Sequence, residues 1–323
     1  KLKTITFQEL YEKSLPPLEW LIDGLIPLNG ITAISGAPGA YKSWFAIYTA
    51  IQSAKGENFL NEQFPTKKTG LLYIDEENGE RLTQARMKGL SQRRDLNIHF
   101  SIYNFVKFTE AHVNEIIDYM KKNSLNVVIF DSFVRFLDDQ DENSSKDVSR
   151  IKDLFTKMLL EGFTVIFIHH HKKDNGVSRT VSNDKMRGSS DLLAMVNSHI
   201  ILDKQENIVI VEHNKMREAR ELEPFKIEIT EKENGEIEFQ YCNLSDTEII
   251  GRNKDMQSKI VTILKETKEK LDIKQIVEKT GLYEKNVRAV CKSLERSKII
   301  KSEKVGYGHK LVYFFNEIYN LAM

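Results

Sequence analysis

Short apolar runs alternate along the chain with longer stretches in which apolar residues recur every three or four positions. Residues 31–35, 70–74, 126–131, 164–169 and 199–202 are rich in Val, Ile, Leu and Phe and short enough to be strands. Helix-like stretches separate the first four, which is the rhythm of a parallel sheet with crossover helices. The almost wholly apolar VVIF (127–130) and VIFI (165–168) suit strands buried on both faces. Three further runs, 208–212, 225–229 and 236–241, have only turn signals between them, including Asn234-Gly235, and are expected as antiparallel additions at one edge. The pattern predicts an α/β fold with a mostly parallel central sheet.

Toward the C-terminus the pattern changes. Ile260, Ile263 and Leu264 predict one helix, Ile273, Ile276 and Val277 a second, and residues 284–297 a third after a Thr280-Gly281 turn. Runs 299–303 and 311–315 flank a Gly-containing turn and predict a hairpin. Charge marks the same division: from Arg252 to Met323 there are 16 Lys+Arg against 9 Asp+Glu, whereas the whole chain balances 47 against 47. A basic tail is therefore expected as a separate unit, with domains at 1–250 and 251–323 and the polar stretch 243–255 as the linker. Any affinity for nucleic acid must be local rather than a property of bulk charge.

The chain has 323 residues, 41% of them hydrophobic, enough for a large core and, at roughly 100–200 residues per domain, for two domains. Its longest apolar runs are interrupted by charge well short of the ~18 residues that span a bilayer. The N-terminus, with a charged residue every few positions, is unlike a secretory signal. Two distant cysteines, Cys242 and Cys291, provide neither a disulfide framework nor a metal knuckle. A cytoplasmic protein without a membrane partner is expected.

The chemistry concentrates where strands end. GAPGAYKS, residues 36–43, lies between a predicted strand and a helix and has phosphate-loop spacing, except that Tyr41 replaces the usual glycine. Gly36 and Gly39 free the backbone of Gly36, Ala37, Pro38, Gly39, Ala40, Tyr41 and Lys42 to wrap phosphate oxygens, with Ser43 and Trp44 opening the helix behind them. Lys42 suits the β- and γ-phosphates of ATP and the Ser43 hydroxyl suits Mg²⁺. Tyr41 is expected to keep φ in the ordinary negative region. NVVIFDS (126–132) ends in Asp131, placed to hold Mg²⁺ or, in the plainer reading, to cap a helix. GLLYIDEEN (70–78) ends in Asp75, Glu76 and Glu77, of which one can orient and deprotonate an attacking water; a solvated acidic turn is the alternative. Two polar stretches, 138–146 and 172–185, follow predicted strands at positions where function concentrates in open sheets, or are plain surface loops.

LLYIDEEN resembles the strand of RecA/RadA-type ATPases that ends in the catalytic glutamate, which would be Glu77, with Glu76 as the fallback. WLIDGLIPLNGITAISGAPGAYKS (20–43), VIFIHHHKK (165–173) and RGSS (187–190) resemble RepA-like hexameric helicases, over roughly residues 16–230. The resemblance implies that His170 senses the γ-phosphate or couples it to a DNA-facing loop. A metal site at the three histidines is disfavoured, because successive strand residues point to opposite faces. NKMRE (214–218) resembles the KxR element of RecA-like hexamers, which implies that Lys215 and Arg217 reach a neighbouring subunit's phosphates; a basic turn is the plain alternative. The family's arginine after RGSS is missing from 191–198 (DLLAMVNS), which favours Arg217 and leaves a degenerate or regulated ATPase open.

The tail resembles a winged helix-turn-helix. That resemblance buries Val287, Val290, Cys291 and Leu294 and leaves Lys285, Asn286, Arg288, Lys292 and Arg296, with Tyr307, His309 and Lys310 on the wing, for DNA. Together these features imply an ATP- and Mg²⁺-dependent DNA motor of the RepA-like replicative helicase type, a homo-oligomer expected to form a hexameric ring, with DNA as partner. The alternatives are an ATP-regulated DNA-binding assembly factor without unwinding activity, and a KaiC-like signalling ATPase that uses the tail for protein contacts.

Overall fold

The structure is a computed structural model and describes residues 4–104, 108–137, 145–170, 190–205, 207–243, 246–282, 284–296, 299–305 and 310–316. A helix, α1 (Phe7–Glu12), and a small antiparallel pair, β1 (Trp20–Ile22) and β2 (Ile26–Pro27), precede the main unit. There follow β3 (Ile31–Gly36), α2 (Lys42–Lys55), β4 (Gly70–Asp75), α3 (Gly79–Leu90), β5 (Ile98–Ile102), α4 (Glu110–Lys122) and β6 (Leu125–Asp131). After a 3₁₀ turn at Phe133–Phe136 come α5 (Ser145–Leu160), β7 (Thr164–His170), α6 (Ser190–Met195) and the strands β8 (Ser198–Gln205), β9 (Ile208–Met216), β10 (Phe225–Glu231) and β11 (Ile237–Asn243).

These strands form one nine-stranded sheet in the order β11-β10-β9-β8-β3-β7-β6-β4-β5. The run from β8 to β5 is parallel, and β9, β10 and β11 add antiparallel at one edge, as the apolar pattern predicts. The strand that periodicity misses is β5, whose five residues IHFSI are all half-buried and include two polar side chains, so it gives no continuous apolar signal. Both faces of the sheet are covered. One apolar cluster joins α2 to β3, β4 and the antiparallel strands through residues such as Phe45, Ile47, Ile51, Tyr73 and Phe239. The other joins α4, α5 and α6 to the opposite face through Ile117, Phe130, Phe155, Phe167 and Leu192. With both faces dry, the carboxyl edge of the parallel strands is where polar groups can gather.

The tail contains α7 (Asp246–Thr267), β12 (Leu271–Asp272), α8 (Ile273–Thr280), α9 (Glu284–Arg296), β13 (Ile300–Val305) and β14 (Lys310–Phe315), the three strands pairing antiparallel in the order β12-β14-β13. Asp272 and Gln275 form a capping box at the start of α8, and Gly281 closes it at φ 64, the left-handed turn that Thr280-Gly281 announces. Ile260, Ile276, Val287, Cys291, Leu294 and Ile300 share a core of their own. Burial there pushes the Cys291 thiol up to about 12, so it packs as an inert apolar group. The stretch expected as a linker is shorter than 243–255, because α7 begins at Asp246. Its opening Asp246-Thr247-Glu248 suits a helix N-terminus, and no proline interrupts it.

Among the described residues, no helix is long and apolar enough to cross a membrane. Phe155 stacks within 5.0 Å of Phe130 and also meets Phe133 and Phe167, all fully buried beneath β6 and β7. Phe155→Ala is expected to cost about 3–5 kcal/mol, read as a fall in the urea midpoint at constant slope.

Candidate functional site

The middle of the sheet positions the phosphate-type loop. β3 lies between β8 and β7, so residues 37–41 emerge at the carboxyl edge and turn into α2 beside the tips of both neighbours. Gly36 is required by crowding: a Cβ there would lie 2.4 Å from the Leu202 carbonyl oxygen. Gly39, at φ +80, occupies the left-handed region that glycine tolerates. The expectation for Tyr41 is corrected, since it sits at φ 61 and ψ 19, also left-handed. The chain must take that conformation to enter α2, so the side chain is accommodated at a cost of about 1 kcal/mol. Its ring finds contacts that offset this, with Trp44 at 6.4 Å between centroids and the Lys204 ammonium 4.9 Å above the ring.

Lys42 opens α2 and is 4% exposed. Its Nζ donates to the carbonyls of Gly36 (2.9 Å) and Ala37 (2.7 Å). Burial pulls the ammonium down to about 8, while Asp131 and Glu77 pull in the other direction. Asp131, at the tip of β6, is 1% exposed, and its Oδ2 accepts from the Tyr73 hydroxyl (2.8 Å) and from Asn78 Nδ2 (3.1 Å). Burial first, then Asp75, pushes its carboxyl up to about 6, with the adjacent Ser43 and Tyr73 hydroxyls opposing. Oδ1 is buried without a hydrogen bond of ordinary geometry among the described residues. A buried carboxylate oxygen in that state, next to a lysine and a serine at a helix N-terminus, suits a small hard cation.

The acidic trio divides by geometry. Asp75 builds the turn: Oδ1 accepts from the backbone N–H groups of Glu77 and Asn78, and Oδ2 accepts from the Thr83 hydroxyl at 2.6 Å. Glu76 accepts from the Asn104 backbone N–H at 2.9 Å and so ties the turn to the end of β5. Glu77 points toward the cleft, where its Oε2 meets His170 Nε2 at 3.0 Å. The hydrogen bond from His170 holds the Glu77 carboxyl down to about 2, helped by Ser132 and by the charges of His170 and Arg135. The histidines alternate as strand geometry requires: His169 is buried against Phe133, His170 faces Glu77, and His171 lies outside the described residues.

At the antiparallel edge, Lys215 lies near the end of β9 and its ammonium donates to the Leu193 carbonyl; the Arg217 guanidinium donates to the Ala194 carbonyl, so both rest on the last turn of α6. Burial and the neighbouring Arg217 push the Lys215 ammonium down. The Trp44 ring turns toward α3, where a Cβ on Gly89 would meet it at 3.4 Å. It lines a cavity of about 1050 Å³ together with Met87, Arg93, Phe100 and Ile237, and none of residues 36–43 lines that cavity. In the tail, Val287, Val290, Cys291 and Leu294 are buried, while Arg288 and Lys292 are exposed, Arg288 paired with Glu284 at 2.5 Å. The side chains of Lys285, Asn286, Arg296 and Lys310, residues Tyr307 and His309, and most of the 138–146, 172–185 and RGSS segments lie outside the described residues.

Sequence reasoning misses Tyr73, Asn78, Thr83 and Arg135. The first has a legible signal, a phenol inside an otherwise apolar strand, LLYID. The others act through the turn after β4 or the turn after β6, and only the sheet order brings those turns together.

An AAA domain family profile matches residues 1–176. No curated protein sequence matches the chain. Among solved structures, one ATPase domain determined on its own is 16% identical with a TM-score of 0.50, over 67% of this chain and 85% of that one. A DnaB-like replicative helicase, solved for its interactions with primase, is 15% identical with a TM-score of 0.51, over 67% of this chain and 58% of its own length. The KaiC-like protein PH0186 of Pyrococcus horikoshii OT3 is 17% identical with a TM-score of 0.46, over 69% and 99%. The fold is that of RecA-like P-loop ATPase domains.

Because the folded chain holds Asp131 buried and its carboxyl up near 6, its charged form opposes folding at neutral pH. Asp131→Asn is expected to raise the thermal midpoint, by a gain on the order of 3 kcal/mol, while weakening Mg²⁺-dependent nucleotide binding. A midpoint that falls would contradict the assignment of a destabilised carboxylate.

Proposed function

Since the chain belongs to the AAA domain family, we propose that it is an ATP-hydrolysing, DNA-acting motor of the RepA-like replicative helicase type, working as a homo-oligomeric and hexameric ring. The observation that carries the hydrolysis is the convergence of Lys42, Asp131 and a His170-oriented Glu77 at one edge of the sheet. The similarity to helicase ATPase domains supports the architecture; the DNA substrate rests on the resemblance of the motifs and on the basic tail.

In this reading the backbone N–H groups of residues 36–43 and the N-terminus of α2 receive the phosphates. Lys42 exchanges its two carbonyl partners for phosphate oxygens, which relieves its buried charge. Ser43 and Asp131 hold Mg²⁺, which supplies charge neutralisation at the phosphates when bound. Glu77 is ionised over the physiological range and aligned by His170, so it orients the attacking water and accepts its proton while the bond from the γ-phosphorus to the bridging oxygen breaks. Lys215 and Arg217 reach the site of an adjacent subunit and neutralise charge developing on the transferred group. The tail, read as a winged helix over residues 251–323, presents Lys285, Asn286, Arg288, Lys292, Arg296, Tyr307 and Lys310 to DNA.

Glu77→Gln is expected to lower ATP turnover by roughly a hundredfold or more while nucleotide still binds, measured by phosphate release and by a fluorescent ATP analogue. Arg217→Ala is expected to do the same. Normal turnover in Glu77→Gln would remove the hydrolytic reading. ATP-driven strand displacement on a forked duplex separates the helicase from an ATP-regulated assembly factor, which would bind the fork and leave it annealed.

A further inference from the structure

The strand that carries Lys215 and leads into Arg217 contains a defect in its pairing. β8 and β9 run antiparallel with Ile200 opposite His213, but the next pair is His199 opposite Lys215, so Asn214 is an extra residue on β9. A one-residue insertion moves every later side chain to the other face of the sheet. In an unbroken ladder Lys215 would fall opposite Ser198, on the face where Ile200 and Val211 pack with α2. The bulge instead places Lys215, and Arg217 two residues later, on the face of α6, where both meet its carbonyls.

The bulge is pinned on both faces by histidines. Asn214 Nδ2 lies 3.0 Å from His199 Nδ1, and His199 Nε2 lies 2.7 Å from the Ser35 hydroxyl, with His199 fully buried. An amide nitrogen can only donate, so Nδ1 accepts and the Nε2–H donates to Ser35. On the other face, His213 Nε2 lies 3.0 Å from the Ser198 hydroxyl, which donates to the Leu25 carbonyl, and the Leu222 backbone N–H donates to His213 Nδ1 at 3.1 Å. Ser35 is the residue before Gly36. The bulge is thus referenced to the strand that opens the phosphate loop.

We propose that His199 and Asn214 are positioning residues for the Lys215–Arg217 pair, fixing through the bulge which face of the sheet those cations occupy and tying their position to the base of the phosphate loop of the same subunit. This deepens the reading of Lys215 and Arg217 as a finger presented to the adjacent subunit and rests on it.

The test uses the full-length chain. Asn214→Ala is expected to lower kcat by roughly tenfold to a hundredfold, with the affinity for a fluorescent ATP analogue and the thermal midpoint close to wild type. His199→Leu should behave likewise, and His199→Asn, whose amide reaches the place of Nδ1, should recover part of the loss. Mixing distinguishes positioning from general damage. An Asn214→Ala subunit keeps its own Lys42, and a Lys42→Ala subunit keeps its own finger, so the two inactive variants together should regain turnover that neither has alone. Normal kcat in Asn214→Ala alongside a defective Arg217→Ala would overturn the proposal. So would a defective Asn214→Ala that Lys42→Ala cannot complement although Lys42→Ala complements Arg217→Ala. Normal turnover in Arg217→Ala itself would instead remove the finger, and the positioning role with it.

Discussion

A carboxylate and a lysine buried side by side at the centre of the carboxyl edge set the terms for everything around them. Asp131 and Lys42 are 1% and 4% exposed, and the cost of burying each charge appears directly in the opposed displacement of their titrations. Such a pair persists only if neighbouring groups over-determine it. Tyr73 and Asn78 hold the carboxylate from β4, the Gly36 and Ala37 carbonyls hold the ammonium from β3, and Asp75 and Thr83 hold the turn that carries Asn78. The sheet order, with β6 and β7 between β4 and β3, lets these strand tips face one another. A nucleotide with its cation would complete what the protein leaves costly, which is how a binding site stores free energy for its ligand.

The same edge shows why three adjacent acids have three fates. Asp75 accepts backbone N–H groups, Glu76 is tied to the backbone after β5, and Glu77 alone is turned to His170. Alternation along β7 explains the histidines in the same way, with His169 sent into the core and His170 into the cleft. Both outcomes follow from backbone geometry once the strand ends are known. Arg135, in the turn after β6, adds a positive field at Glu77 from a position four residues beyond Asp131.

Much of this was legible in residues alone. Strand ends can be read because apolar runs stop abruptly at Ser35, Asp75, Asp131 and His169, and a loop of Gly36–Ser43 composition has few other uses. The tail's helices were visible because their apolar positions repeat cleanly, and those residues form its core. What escaped were features that local pattern does not encode. β5 is half-buried and carries polar residues. Tyr41 adopts a glycine-like conformation because the loop's closure dictates it, and no neighbour in sequence announces that. The Asn214 bulge depends on a register across two strands, and its partners Ser35 and His199 lie 164 residues apart. The start of α7 at Asp246 was hidden by a polar composition that reads equally as linker or exposed helix.

The central claim is that this edge hydrolyses ATP for work on DNA. The most direct measurement is steady-state phosphate release by the full-length protein, with and without single-stranded DNA, beside Lys42→Ala. Turnover that DNA stimulates and that disappears in the variant is the predicted result. Turnover equal to that of Lys42→Ala under both conditions would contradict the account and recast the buried pair as a nucleotide-binding scaffold.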